Sequence, residues 1–516
     1  MVDLRRFGGA AARPAVGQAA RDRLGRAARG SVWNLAGAAI SAIANFALTI
    51  LVTRALTRSD AGVFFSATAL FLLATGLGQL GTSTGLVYFL SRARANQTLV
   101  EASAYMRTAM RPVLVIACLM GVALLAFKGP VADLAGGDHS AQFSSYLLAL
   151  AVFIPVAALA NLALSGTRGL GTMRPGALLD QMFRPLLQLA LVGLAVVLSV
   201  RQFVVWGWVI PYLPLAVACW LAWRRLSVQA GGRPGRADAP RRVQGFWRFS
   251  APRAVASVAQ AAMQRLDIVL VGAIAGVGQA AVYAAATRFL ALGQMAAAAV
   301  SQAVQPQLGE ALVHRDRVAV GHLYKTSTGW LIALTWPLYL IFITFAATLL
   351  GVFGGGYAQG TLVLILLSSS MLVATGCGMV DMVLLMGGRA SWNLYNVLGA
   401  FVVNLGVDLW LIPRLGILGA AIGWTLAILV TNLVPLVQVA LSLRVQPVGA
   451  ATLTTMVLGL ACFGAVPGAI RLLFGEGWPT LLVGIGIGLV CYVTGLWRCR
   501  RVLELSVLRT LRRRRT

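Results

Sequence analysis

The chain has 516 residues, of which 59% are apolar and 11% charged, and its mean hydropathy is +0.81. Those values exclude a soluble globular domain and leave a polytopic helical membrane protein, because long apolar runs can cross a bilayer only as helices. The formal net charge of +28 does not mark a nucleic-acid binder: Lys128 and Lys325 are the only lysines, the rest is an arginine bias of coding composition, and the charges sit in short loops between apolar runs.

Residues 1–30 carry seven arginines and read as a basic tail. About fourteen spans follow: 31–53, 63–90, 112–128, 143–166, 176–199, 203–223, 250–275, 280–305, 328–351, 360–385, 391–412, 416–442, 452–474 and 479–497. With the N-terminus cytoplasmic, most of the 43 basic residues fall inside. Only Arg54, Arg58, Lys128, Arg201, Arg414 and Arg471 fall outside, so arginine bias sets the orientation. Residues 224–248 are rich in Gly, Pro and Arg and read as a linker between six-helix lobes at 31–223 and 249–443. Two further helices occupy 444–497, and a second basic tail runs over 498–516. A shift of 219 residues lays Ile50–Thr68 over Val269–Thr287, with Leu51/Leu270, Ala61/Ala280 and Thr68/Thr287 identical and Asn45 over Gln264. Such a parallel repeat suggests a site between two lobes, worked by alternating access.

The second span holds Thr75, Gln79 and Thr82 on one face, either bordering a cavity or bonded back to the helix. The fifth carries Asp180 and Arg184 four apart, either a self-neutralising pair or a substrate contact and gate, with Pro185 predicting a kink. The seventh and eighth, joined by Gly276-Val277-Gly278, carry Arg265, Asp267 and Arg288. A charge in hydrocarbon costs about 2.5–3.5 kcal/mol on insertion scales. Asp267 and Arg288 each lie roughly 12 Å from the turn at 1.5 Å per residue, near the middle of the bilayer. Ser257, Gln260, Gln264 and Asp267 share one helical stripe, flanked by Arg265. Two readings stand: a wet central cavity, or a polar seam closed by an Asp267–Arg288 ion pair. Asp381 and Asp408 fall nearer span ends; either carries a proton or cation or is solvated at the interface, which is the reading taken for Asp408.

No catalytic set appears. His139, His314 and His322 are scattered, no nucleotide-binding glycine loop is present, and the six cysteines have no metal-ligand spacing. The expectation is a transporter rather than an enzyme such as a polymerase or ligase, with no cofactor beyond coupling to H+, Na+ or membrane potential.

Arg54-Ala55-Leu56-Thr57-Arg58-Ser59-Asp60-Ala61-Gly62 and Leu80-Gly81-Thr82 resemble the opening of the polysaccharide-transporter branch of the multidrug/oligosaccharidyl-lipid/polysaccharide exporter superfamily. Phe249-Ser250-Ala251-Pro252 resembles the start of its second half, and Leu411-Ile412-Pro413-Arg414-Leu415-Gly416-Ile417-Leu418-Gly419 resembles its signature near Asn404 to Trp424. The resemblance covers roughly residues 30–445. It implies an all-α fold with a central cavity and a Wzx-type flippase that moves undecaprenyl-diphosphate-linked glycan between leaflets of the cytoplasmic (inner) membrane. Polysaccharide polymerase and export proteins would be its partners, alongside membrane lipids and no nucleic acid. It implies that Arg265 and Arg288 take the anionic head group, with Arg54 as a gate. The alternative is a cation-coupled exporter of small amphiphiles. The first span has no arginine, unlike the lipid II branch, and no acid, unlike many multidrug exporters.

Overall fold

The computed structural model describes residues 13–96, 102–231, 245–313 and 316–499. Residues 1–12 of the expected N-terminal tail and 500–516 of the C-terminal one, together with His314 and positions 232–244 of the expected linker, lie outside the described residues. Among the described residues the chain is all helix and turn. In order come α1 Arg13–Ala55, α2 Arg58–Gly78, α3 Thr82–Ala95, α4 Ala102–Ala126, α5 Lys128–Gly136, α6 Ser140–Gly169, α7 Arg184–Val197, α8 Val204–Val209, α9 Tyr212–Gln229 and α10 Gly245–Ala275. Then follow α11 Val277–Val313, α12 Arg317–Thr344, α13 Ala346–Leu350, α14 Thr361–Gly376, α15 Val380–Met386, α16 Ala390–Leu415, α17 Ile417–Leu443, α18 Ala450–Gly459, α19 Val466–Phe474 and α20 Trp478–Arg498.

Thirteen spans among the described residues are long and apolar enough to cross a membrane. The 37-residue α11, apolar but carrying Arg288 and several glutamines, packs among them and brings the total to about fourteen. The chain is a polytopic all-α membrane protein. α9 and α10 extend into both ends of the expected linker. α18 and α19 are joined by the π-helical Leu460–Ala465, and with α20 they form a C-terminal hairpin.

Three expected elements differ. The third span begins ten residues earlier than expected, as α4. The tenth ends at Gly376, and the chain turns through Cys377–Met379 before α15. The second span is broken. Leu80 (φ 48°) and Gly81 (φ 67°) both lie in the left-handed region, which costs an L-residue such as Leu80 roughly 1–2 kcal/mol. The break lets α3 lie on α10: a Cβ on Gly81 would come 2.7 Å from Ala254 N and Ser250 O. Gln79 Nε2 donates to Ala158 O at 3.1 Å and Thr82 Oγ1 to Gln79 O at 2.6 Å, pinning the turn.

The two halves of the chain meet chiefly through α2, which packs on both α10 and α11. Call the end bearing the α10–α11 turn the turn end, and the opposite one the tail end. At the turn end Gly62 touches the backbone of Val277 so closely that a Cβ would sit 1.7 Å from its carbonyl oxygen. Arg54 Nε and Nη2 donate to Val352 O (2.7 Å) and Gly351 O (3.0 Å), and Arg58 Nη1 donates to Gln359 Oε1 (3.2 Å). The carbonyls that Arg54 grips follow α13. At the start of that helix Glu476 Oε1 accepts from the N–H (3.0 Å) and hydroxyl (3.2 Å) of Thr348. Arg471 in turn pairs with Glu476 at 2.7 Å and donates to Thr344 O. At the tail end Tyr88 stacks on Phe249 (4.2 Å), and Arg253 lies 3.9 Å from the Phe249 ring centre.

Candidate functional site

Between these two contacts lie two neighbouring cavities of about 410 and 210 Å³. They share Arg265, Ile268, Arg288 and Ala291 in their walls. α10 and α11 bring the two arginines there because each helix enters from the turn and carries its arginine about two to three turns in. Helical spacing then decides what else faces the same way. The larger cavity is completed by α1 and α2, through Asn45, Thr49, Phe65 and Thr68, and by Gln181, Arg184 and Trp208. The smaller is completed by Gln264, Asp267, Tyr283, Gln294 and Trp424.

Neither Arg265 nor Arg288 has an ion-pair partner among the described residues. Arg288 Nε is buried without an acceptor, and its guanidinium lies 6.0 Å from the Phe65 ring centre. An arginine is a fork of donors with no acceptor. Two of them facing one cavity present donors that suit a multi-oxygen anion such as phosphate.

The Asp267–Arg288 ion pair does not form. Asp267 turns instead to Tyr283, whose hydroxyl donates to Oδ2 at 2.9 Å, and lies beside Asp408 of α16, which packs on α10. Asn404 Nδ2 donates to Asp408 Oδ2 at 3.1 Å. Asp408 is 1% exposed, which corrects the interfacial reading. α16 turns this acid inward, and α17 closes over it at Gly423, where a Cβ would fall 2.0 Å from Asp408 Oδ1. Like charges 4 Å apart repel by about 4 kcal/mol at an effective dielectric near 20. A proton or a small cation held between the two carboxyls removes that repulsion. Asn404 and Asp408, four apart on one span, were the legible signal; that they face Asp267 was not.

The remaining expected site residues divide. Asn45 and Gln264, matched by the repeat, line the larger and smaller cavity respectively. Gln260 is exposed one turn nearer the tail end and lines neither. Gln79 is not in either wall; it is used at the α2–α3 break. Thr75 donates to Phe71 O at 2.8 Å, so these polar groups are bonded back into the protein. Asp381 is exposed at the start of α15, away from both cavities. Arg184 Nε pairs with Asp180 at 2.9 Å and Nη1 donates to Gln188 Oε1 at 3.2 Å. Pro185 follows a π-helical stretch, Gly176–Phe183, so the expected kink appears as a widened turn. Among the described residues no group of three His, Cys, Asp or Glu side chains is placed to hold a metal ion.

The family model described as polysaccharide biosynthesis protein matches residues 27–312. No curated protein matches the chain. Among solved structures, the fold is similar to that of the lipid II flippase MurJ in an inward closed conformation, with 15% identity, TM-score 0.69, and 91% of this chain and 98% of that one covered. It is also similar to an inward-facing multidrug resistance MATE family transporter of the MOP superfamily, with 16% identity, TM-score 0.59, and 80% and 98% covered. A MOP superfamily transporter from Pyrococcus furiosus, described as having a binding pocket of reverse polarity, is also similar, with 17% identity, TM-score 0.52, and 81% and 96% covered.

Proposed function

Since the chain belongs to the polysaccharide biosynthesis protein family, we propose that it is a flippase carrying undecaprenyl-diphosphate-linked oligosaccharide from the cytoplasmic to the outer leaflet of the bacterial inner membrane. The observation that carries this reading is the pair of unpaired arginines, Arg265 and Arg288, facing the cavities between the two halves. A sugar head group stripped of water in hydrocarbon loses several kcal/mol per unpaired polar group. A polar cavity replaces those bonds while the isoprenoid stays in lipid. With both termini cytoplasmic, as the arginine bias asks, the turn end is the outer one. The Arg54, Arg58 and Gly62 contacts then form an outer gate, and the halves act as lobes that rock about the cavity. Polymerase and export proteins beyond that gate are the partners such a product requires.

Drive has two sources in this reading. An anion moving outward gains about 2.3 kcal/mol per charge per 100 mV when the inside is negative. The Asp267–Asp408 pair, beside the smaller cavity, takes a proton or Na+ and couples its return to the cycle. Two unpaired arginines also disfavour a cationic amphiphile as cargo, which sets the drug-exporter alternative behind this one.

A phosphate-to-arginine hydrogen bond removed from a site of this kind loses about 1.5–3 kcal/mol, so Arg265→Ala and Arg288→Ala are each expected to lower glycan export tenfold or more while the protein still inserts. Surface polymer and the cytoplasmic pool of lipid-linked glycan are the readouts. Normal export by the double variant, at normal protein level, would remove the proposal.

A further inference from the structure

We infer that the larger cavity sorts its cargo by hydrogen-bond polarity, holding the diphosphate on the α10–α11 wall and the first sugar on the α1–α2 wall; this rests on the function proposed above. The two walls differ in what they have left to offer. On α1 and α2 the donors are already used, apart from the hydroxyl of Ser41, which accepts from Asn45 Nδ2 at 3.3 Å. Asn45 Nδ2 donates to Ser41 O at 2.7 Å. Thr49 Oγ1 donates to Asn45 O at 2.8 Å, and Thr68 Oγ1 to Phe64 O at 2.8 Å. All three residues line the cavity, so what they present to it is oxygen: the Asn45 Oδ1 and the free lone pairs of two hydroxyls.

The opposite wall is the reverse. Arg265 and Arg288 have donors and no acceptor. Arg184, the one basic residue of the larger cavity outside α10 and α11 among the described residues, is neutralised by Asp180 and held by Gln188. A diphosphate is rich in acceptors and finds a single hydroxyl donor, Ser41, on the α1–α2 wall, where otherwise lone pairs would face lone pairs. A pyranose is rich in hydroxyl donors and finds acceptors there. Trp208 and Phe65, in the same cavity, add apolar ring faces for the C–H side of a sugar. The head group therefore enters in one orientation, and the side-chain oxygens of Asn45 and Thr68 read the hydroxyls of the sugar next to the phosphate. A site that accepts from a hydroxyl discriminates strongly against a ligand lacking it, because its own groups are then left unpaired.

The test is binding by the purified full chain in lipid nanodiscs to two probes: undecaprenyl diphosphate alone, and the same lipid carrying one glucose. The wild-type protein is expected to prefer the glucosylated lipid. Asn45→Leu and Thr68→Val are each expected to weaken binding of the glucosylated lipid by about tenfold, the worth of one such hydrogen bond in a buried site, and to leave the bare lipid within about twofold. Arg288→Ala is expected to weaken both. Equal effects of Asn45→Leu and Thr68→Val on the two lipids, no effect of either, or no wild-type preference would overturn the sorting inference, with the Arg288→Ala loss still supporting the flippase reading. Binding of both lipids unchanged by Arg288→Ala would instead remove the flippase reading itself.

Discussion

At the scale of single residues, the central fact is where three midspan charges turn. Arg265 and Arg288 face cavities without an ion-pair partner among the described residues, while Asp267, in the wall of the smaller cavity beside them, bonds to Tyr283 and lies by Asp408. The charges and the shared face of Gln264 and Asp267 were legible in the sequence because helical spacing fixes them, whereas Ser257 and Gln260 of the same stripe line neither cavity. The choice of partner was not legible, since it depends on α16 and α17, about 140 residues further along the chain, arriving beside α10. Asp408 shows the same limit from the other side: its place near a span end suggested solvent, and only the closeness of Gly423 makes it buried. If the acid pair couples a cation, Asp408→Asn should abolish the dependence of flipping on an imposed proton or sodium gradient in vesicles, while a membrane potential still drives it. Retention of a full gradient response by that variant would dissociate the pair from coupling.

At the scale of elements, glycines and one left-handed leucine decide how the halves touch. Span count, span order and the turn at Gly276 follow from apolar run lengths, which is why they were predictable. The break between α2 and α3 does not follow from hydropathy, because Gln79, Leu80 and Gly81 are each acceptable within a span. It is set by the need to bring α3 against Ser250 and Ala254. At the turn end Gly62 packs directly on the Val277 backbone, and no side chain fits there. Gly62→Ala is therefore expected to hold that end apart. A cysteine placed at Ser66, which is fully buried and faces Gly272, should react with a water-soluble maleimide several-fold faster in the Gly62→Ala background than in the Gly62 parent, both cleared of native cysteines. Equal reactivity would show that the end closes without this contact.

At the scale of the whole molecule, apolar surface is arranged for lipid. Large side chains such as Leu472, Phe474, Leu482 and Val490 on the C-terminal hairpin are more than half exposed, which lipid tolerates and water would not. That hairpin lies beyond the 27–312 region that defines the family, yet it reaches the turn end through Glu476. The five-residue α13 is thus pulled from two sides: an anion from the hairpin at its first turn, and a cation from α1 at the carbonyls just past its last. The signs suit the helix dipole at both ends. Loss of either hand leaves backbone groups without their charged partner, at about 1.5–3 kcal/mol. Glu476→Gln and Arg54→Gln should each speed amide hydrogen exchange over residues 346–353 by tenfold or more, and unchanged exchange would show that α13 is held by packing alone. A segment tethered to two separately anchored parts of the chain behaves as a fuse: it parts at whichever tether is weaker under load, so the relative strength of these two grips sets which neighbour α13 travels with when the turn end opens.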